Sequence, residues 1–190
     1  MDFFSIFLFT IFYIVGIGVL GGGILSLTQA LAAKKWIIEP GILQDVHLVR
    51  RAVSPATYKI NINYQYQVKG ISYEGNNLGF GYTGDSNMNA HSQIYRKLKS
   101  AKQAEIRFNP ANHSQSTLTS GAHRSHFITI SFGVMWLTFT IFLTIFELIA
   151  YFHMITSVIL GVIFIISLSV FLYFFNQKNS SLLSRLVILE

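Results

Sequence analysis

Three stretches of this 190-residue chain carry no charged side chain: Phe3 to Leu27, Phe127 to Phe146 and Met154 to Phe175. Each supplies the roughly 20 apolar residues that a helix needs to cross a bilayer core, and core helices of soluble proteins seldom run so long without a charge. Three transmembrane helices are therefore expected, and the other segments must fold around them. The first block is expected to remain a span rather than be cleaved at Ala30-Leu31-Ala32. No basic residue precedes it, and its apolar run is about twice the length of a signal-peptide core.

Charge then suggests an orientation. Lys34 and Lys35 follow the first block, Arg124 precedes the second, and Lys178 and Arg185 follow the third, whereas the opposite ends carry only Asp2 and Glu147. By the positive-inside rule the intervening domain and the C-terminus are expected to be cytoplasmic and the N-terminus outside. Glu147, beside the short Ala150 to His153 connection, is expected at the interface rather than in a buried proton relay. The chain contains no cysteine, which excludes disulfides, thiolate catalysis and cysteine-based metal sites. The expected division is 1–35 for the first helix and its extension, 36–125 for a soluble β-rich domain, 126–176 for a helical hairpin, and 177–190 for a tail. Leu182, Leu183, Leu186 and Leu189 suggest either a short amphipathic helix on the membrane surface or a frayed end.

The soluble part is organised by Thr57 to Lys69, which alternates apolar and polar side chains. Tyr58, Ile60, Ile62, Tyr64, Tyr66 and Val68 share one face of a half-buried strand, and Lys59, Asn61, Asn63, Gln65, Gln67 and Lys69 share the other. A two-residue turn at Lys69-Gly70 places Val68 opposite Ile71, Tyr66 opposite Tyr73 and Gln65 opposite Glu74. A weaker strand is expected from Ile42 to Val49, broken at Ser54-Pro55. After a loop over 75–85, a helix is expected from Asn87 to Leu98, capped by Asp85 or Ser86, with Ala90, Ile94, Leu98 and Ala101 inward. Strands at 104–108 and 116–118 complete the order. Five strands with one helix in this sequence suggest an OB-like module, either a curled sheet or a barrel.

Spaced features add a family resemblance: Trp36 with Pro40-Gly41, Tyr64-x-Tyr66-x-Val68-x-Gly70, Tyr73-x-Gly75, Ile106-Arg107-Phe108-Asn109-Pro110-Ala111-Asn112, and Ser116-Thr117-Leu118. From Trp36 to Gly121 the chain resembles the bacterial membrane family designated domain of unknown function 3592. Phe108-Asn109-Pro110 stands where that family usually has Tyr-Asp-Pro, and His113 replaces a common proline. The resemblance implies an architecture, flanking membrane helices included, but no mechanism.

The residues supply no catalytic, cofactor or metal site. Gly79-Phe80-Gly81-Tyr82-Thr83-Gly84 has dinucleotide-fingerprint spacing, with Glu105 downstream. However, the preceding strand reads as hairpin-paired, the helix begins after the third glycine, and Asp85 would face the pyrophosphate. A mobile loop is the expected reading, with Gly79, Phe80, Gly81, Tyr82 and Gly84 as partner contacts. His113, His123 and His126 lack a carboxylate or thiol nearby in sequence to complete a metal shell. Arg96, Lys97, Lys99 and Lys102 form a basic helix face, read first as a solvated surface and next as contacts for anionic lipid. Nucleic acid is disfavoured because the strand tyrosines fall on the face that needs a core. Gly18, Gly22 and Ser26 recur every four residues in the first span and suggest close packing with another helix of the chain, a second copy or a partner.

The expected function is a non-enzymatic integral membrane protein, in contact with membrane lipids, whose β-rich module binds or regulates a protein partner. An immunity protein neutralising a membrane-acting toxin, and a nucleotide or anionic-ligand sensor, are the alternatives. The surfaces expected to bind are the polar face of Lys59, Asn61, Asn63, Gln65 and Gln67, or the Gly79 to Gly84 loop.

Overall fold

A computed structural model describes residues 3–52, 56–148, 154–176 and 182–189. Its elements are α1 (Phe3–Ala32), β1 (Ile37–Arg51), β2 (Thr57–Val68), β3 (Ile71–Gly75), α2 (Met88–Ser100), β4 (Gln103–Asn109), β5 (Asn112–Thr117), α3 (Arg124–Leu148), α4 (Met154–Asn176) and β6 (Ile188–Leu189). Two compact units result: Met1–Leu25 with Arg124–Gln177, and Ser26–His123 with Lys178–Glu190. The Ser54-Pro55 break, the Ala150 to His153 connection and the Glu147 side chain lie outside the described residues.

In the first unit, α1, α3 and α4 are long and apolar enough to cross a membrane. α1 and α3 run antiparallel through small residues. A Cβ on Gly16 would stand 2.5 Å from Leu137 Cδ2, one on Gly23 2.9 Å from Ile130 Cγ1, and one on Gly133 2.9 Å from the Leu20 backbone. The expected stripe does not lie against α3, because a Cβ on Gly18 or Gly22 would meet nothing within 4 Å, while Ser26 is counted with the other unit. Glycines seven residues apart face α3 because the partner glycine at 133 and Trp136 set the line of contact. The Trp136 indole donates to the Phe12 carbonyl at 2.9 Å, which satisfies its one polar atom in apolar surroundings. Phe127 stacks on Phe174 with centroids 5.0 Å apart. Arg124 donates to the carbonyls of Phe174 and Phe175, placing a cation on the last turn of α4 where the helix dipole is negative.

The second unit is built on an antiparallel sheet ordered β3-β2-β1-β4-β5, with β6 pairing to β4. The hairpin register is the expected one: Val68 opposite Ile71, Tyr66 opposite Tyr73 and Gln65 opposite Glu74. Lys69 and Gly70 both take positive φ, 52° and 81°, as a two-residue turn matched to strand twist requires. β1 is longer than its pattern implied, starting at Ile37, with a bulge between Leu43 and Asp45. Pro40 is tolerated because β1 pairs with β4 there, whereas its pairing with β2 begins only at Gly41.

The sheet curls but stays open, so the barrel alternative is corrected. β3 and β5 share no backbone ladder and are linked by side chains instead. Tyr64 Oη lies 3.1 Å from Ser116 Oγ, Tyr66 donates to the His113 carbonyl, and the Tyr73 ring meets the edge of His113 at 5.9 Å. Ile60, Ile62, Tyr64, Tyr66 and Val68 of β2 form the inner face with Ala104, Ile106 and Phe108 of β4, and Ile94 and Leu98 of α2 cover it. The helix cap is Asn87, whose side chain accepts from Ala90 N at 3.1 Å, while Asp85 Oδ1 accepts from Asn87 N. His91, not Ala90, joins Ile94 and Leu98 as a buried position.

The tail also departs from expectation. Leu182 and Leu186 are buried in the same core, Leu183–Arg185 form one 3-10 turn, and β6 pairs Ile188 with Ala104. The leucine spacing that suggested a membrane-surface helix serves here to drop two side chains into the β domain. Lys97 Nζ donates to the Leu186 carbonyl at 2.6 Å and Glu105 N to the Val187 carbonyl at 3.2 Å.

Candidate functional site

β3 covers β2 only from Tyr64 to Val68, and farther along the same edge Tyr58 makes an isolated bridge to Asp85. Between these points the edge of β2 faces a different neighbour. The Ile60 amide donates to Tyr82 Oη at 3.0 Å. Backbone groups alternate along a strand, so the Ile62 N–H and C=O turn to the same side, where no strand lies opposite. A cleft of about 550 Å³ occupies this gap, lined by His47, Lys59 to Asn63, Asn76 to Gly79 and Tyr82. Its walls bring together the two surfaces singled out from sequence, the polar face of β2 and the start of the glycine-rich loop. The amides of Asn61, Asn63, Asn76 and Asn77 each offer both donors and acceptors.

The loop is anchored at several points, and its two aromatics are half-buried where exposed rings were expected. Phe80 is half-buried, edge-on to Trp36 at 5.5 Å, and its carbonyl lies 3.1 Å from His123 Nε2. Tyr82 N donates to the Gly79 carbonyl at 3.0 Å. A Cβ on Gly79 would sit 2.6 Å from Thr119 Oγ1, and one on Gly84 2.5 Å from the Tyr58 carbonyl. These glycines therefore allow close approach to protein, and Gly81, at φ 65°, makes the turn. His91, 1% exposed, stands behind the loop with Nδ1 2.8 Å from the Asn87 carbonyl and 3.4 Å from Asp85 Oδ1.

Burial raises the pKa of Tyr82 to about 12, with the Asp85 charge adding to the effect and the hydrogen bond from Ile60 N opposing it. Burial likewise raises Tyr64 and Tyr66. The fold thus favours neutral phenols, so stability is fully present below the unfolded value of about 10 and is lost as pH rises toward 12. Urea midpoints of the detergent-solubilised protein are expected to hold to pH 10 and fall steeply above it. Tyr82→Phe, which costs about 1–2 kcal/mol at neutral pH by stripping Ile60 N of its acceptor, should make that fall shallower. An unchanged slope would show that Tyr82 ionises freely.

The other candidates separate. Lys97 is engaged with the tail, Arg96 Nε contacts its own helix at the Ser92 carbonyl, and Lys99 Nζ donates to Tyr95 Oη at 2.7 Å. Only Arg96, Lys99 and Lys102 remain exposed on that helix side. His113 packs among Tyr73 and Phe108, His123 belongs to the β domain and His126 to the helical unit. Among the described residues no three His, Asp or Glu side chains are grouped to hold a metal. Tyr64 and Tyr66, 0% and 2% exposed, offer no face for stacking bases. Sequence reading missed His47, Asn76 and Asn77 at the cleft. His47 did carry a signal, since the alternation of β1 places it opposite Asn61.

Residues 39–123 match the family model described as Domain of unknown function (DUF3592), the family that the spaced tyrosine, glycine and Asn-Pro features resemble. No curated protein and no solved structure matches the chain.

Proposed function

We propose that this is a non-enzymatic protein of the bacterial inner membrane whose cytoplasmic β module binds an extended peptide segment of a protein partner. The carrying observation is the edge of β2 at Ile62, which no strand covers between the β3 ladder and the Tyr82 contact to Ile60, set in a cleft of peptide-like amides. An extended segment laid there meets backbone groups already aligned for a ladder, while the side-chain amides read its polar groups. The anchored loop supports the reading because a rigid wall lowers the ordering cost of binding.

The chain has no cysteine, so one substitution addresses both site and orientation. Asn63 is exposed at the cleft, and Asn63→Cys should react with a thiol reagent in detergent. Peptides selected by display against the intact protein should block that reaction. N-methylation at every second residue of a selected peptide should abolish its binding, as ladder pairing demands. In intact cells a membrane-impermeant reagent should leave Asn63→Cys unlabelled. A flat N-methyl scan, or selected peptides that leave Asn63→Cys fully reactive, would overturn the cleft; labelling in intact cells would reverse the orientation.

A further inference from the structure

We infer that Lys34 and Arg185 form a phosphate site for the headgroup of an anionic phospholipid, seated over the backbone of Ser120 and Gly121. Gly121 takes φ 89°, and its amide donates to the Ala30 carbonyl of the last α1 turn at 2.6 Å. From the point where a Cβ on Gly121 would lie, Arg185 Nη1 is 3.2 Å away and Lys34 Nζ 3.6 Å, so both cationic nitrogens converge on one spot. Arg185 spends one donor on the Ser120 carbonyl at 3.2 Å and retains others. Arg107 adds a third positive charge beside them, with Nη1 3.5 Å from the Lys34 carbonyl.

Like charges repel, and this group converges without a counter-charge. Among the described residues no aspartate or glutamate lies within salt-bridge distance of Lys34, Arg107 or Arg185. An anion bound between Lys34 and Arg185 supplies that compensation, with the guanidinium presenting a planar fork and the ammonium a point charge. The source follows from position. Lys34 stands two residues beyond the 30-residue apolar helix α1, with Trp36 beside it, which is the level of phospholipid phosphates when α1 spans a bilayer. The tail explains how the site is completed, since the burial of Leu182 and Leu186 carries Arg185 to the end of α1. Glycine at 121 is needed because a side chain there would displace Lys34 Cε, 2.7 Å away.

The inference rests on α1 spanning the membrane and not on the peptide cleft. It is tested with the full chain purified from nanodiscs of phosphatidylcholine containing about one-quarter phosphatidylglycerol, by native mass spectrometry. Wild type should retain phosphatidylglycerol over phosphatidylcholine, and Lys34→Gln and Arg185→Gln should each lower that enrichment about fivefold. Arg185→Lys should restore most of it, which separates lost charge from a loosened tail. Lys99→Gln on α2 and Lys102→Gln just after it should leave it unchanged. Equal enrichment in Lys34→Gln and wild type would overturn the site. Loss of lipid in millimolar inorganic phosphate, with phosphate itself retained, would assign the same cations to a soluble anion and overturn the lipid. Blocking of Asn63→Cys by peptide would be unaffected by either result.

Discussion

A chain ending at Ser181 is expected to lose the folded β domain while keeping its apolar helices. The missing segment contributes Leu182 and Leu186, 2% and 3% exposed, to a core otherwise drawn from β2, β4, α2 and the flanking Leu78 and Leu118. Emptying a buried leucine site typically costs about 2–5 kcal/mol, so losing two removes about 4–10 kcal/mol before the carbonyl partners of Lys97 and Glu105 are counted. That is comparable to the 5–15 kcal/mol that holds a typical domain together. Limited proteolysis in detergent should cut the truncated protein throughout 37–118, where wild type resists. Helical circular dichroism should fall only by the share belonging to α2. Leu186→Ala alone should lower the urea midpoint by the equivalent of about 2–5 kcal/mol. A truncated chain as protease-resistant as wild type would show that the tail rests on the domain without being part of its core.

This result bears on how far the fold can be read from sequence. The β2–β3 hairpin was legible to the residue because alternation fixes which face is buried and a two-residue turn fixes the register. Helix α2 was legible from its apolar spacing, but its cap was not, since Asp85, Ser86 and Asn87 are all good cap residues and only the chain path decides among them. The beginning of β1 was hidden because Pro40 and Gly41 are poor strand formers, overridden by pairing with β4. Strand β6, two residues long, exists only through a tertiary contact. The face of α1 that meets α3 was not legible because α1 carries glycines on several sides, and no local spacing tells which one meets Gly133's helix. The cleft was half legible: its two walls were each singled out, but their meeting depends on β3 ending at Gly75 and so leaving the Ile62 edge uncovered.

That ending at Gly75 leads to the second large effect. Gly75 pairs directly with Tyr64 across the β2–β3 ladder, and a Cβ placed there would stand 2.3 Å from the Tyr64 ring and 2.5 Å from Ser116 Oγ. The ring lies over the glycine, using the missing side chain as its seat, an arrangement that sheets use to shield a glycine from water. It has little freedom to retreat. Tyr64 is fully buried, its hydroxyl donates to the Asn77 carbonyl at 3.2 Å, and the same oxygen contacts Ser116 Oγ, bridging the two edges of the open sheet. Gly75→Ala must therefore push the ring from its seat and loosen both polar contacts, with an expected cost of about 2–4 kcal/mol from overpacking and buried polar groups left unpaired. The same cycle tests the cause. With Tyr64→Leu in the background, which removes the ring, Gly75→Ala should cost less than about 1 kcal/mol, and the difference measures the ring–glycine coupling. Equal costs in both backgrounds would mean that the contact with Ser116 Oγ sets the penalty, and that the tyrosine merely rests nearby. Tyr64→Phe keeps the ring and should leave the Gly75→Ala penalty largely intact, because the clash is with ring carbons and not with the hydroxyl.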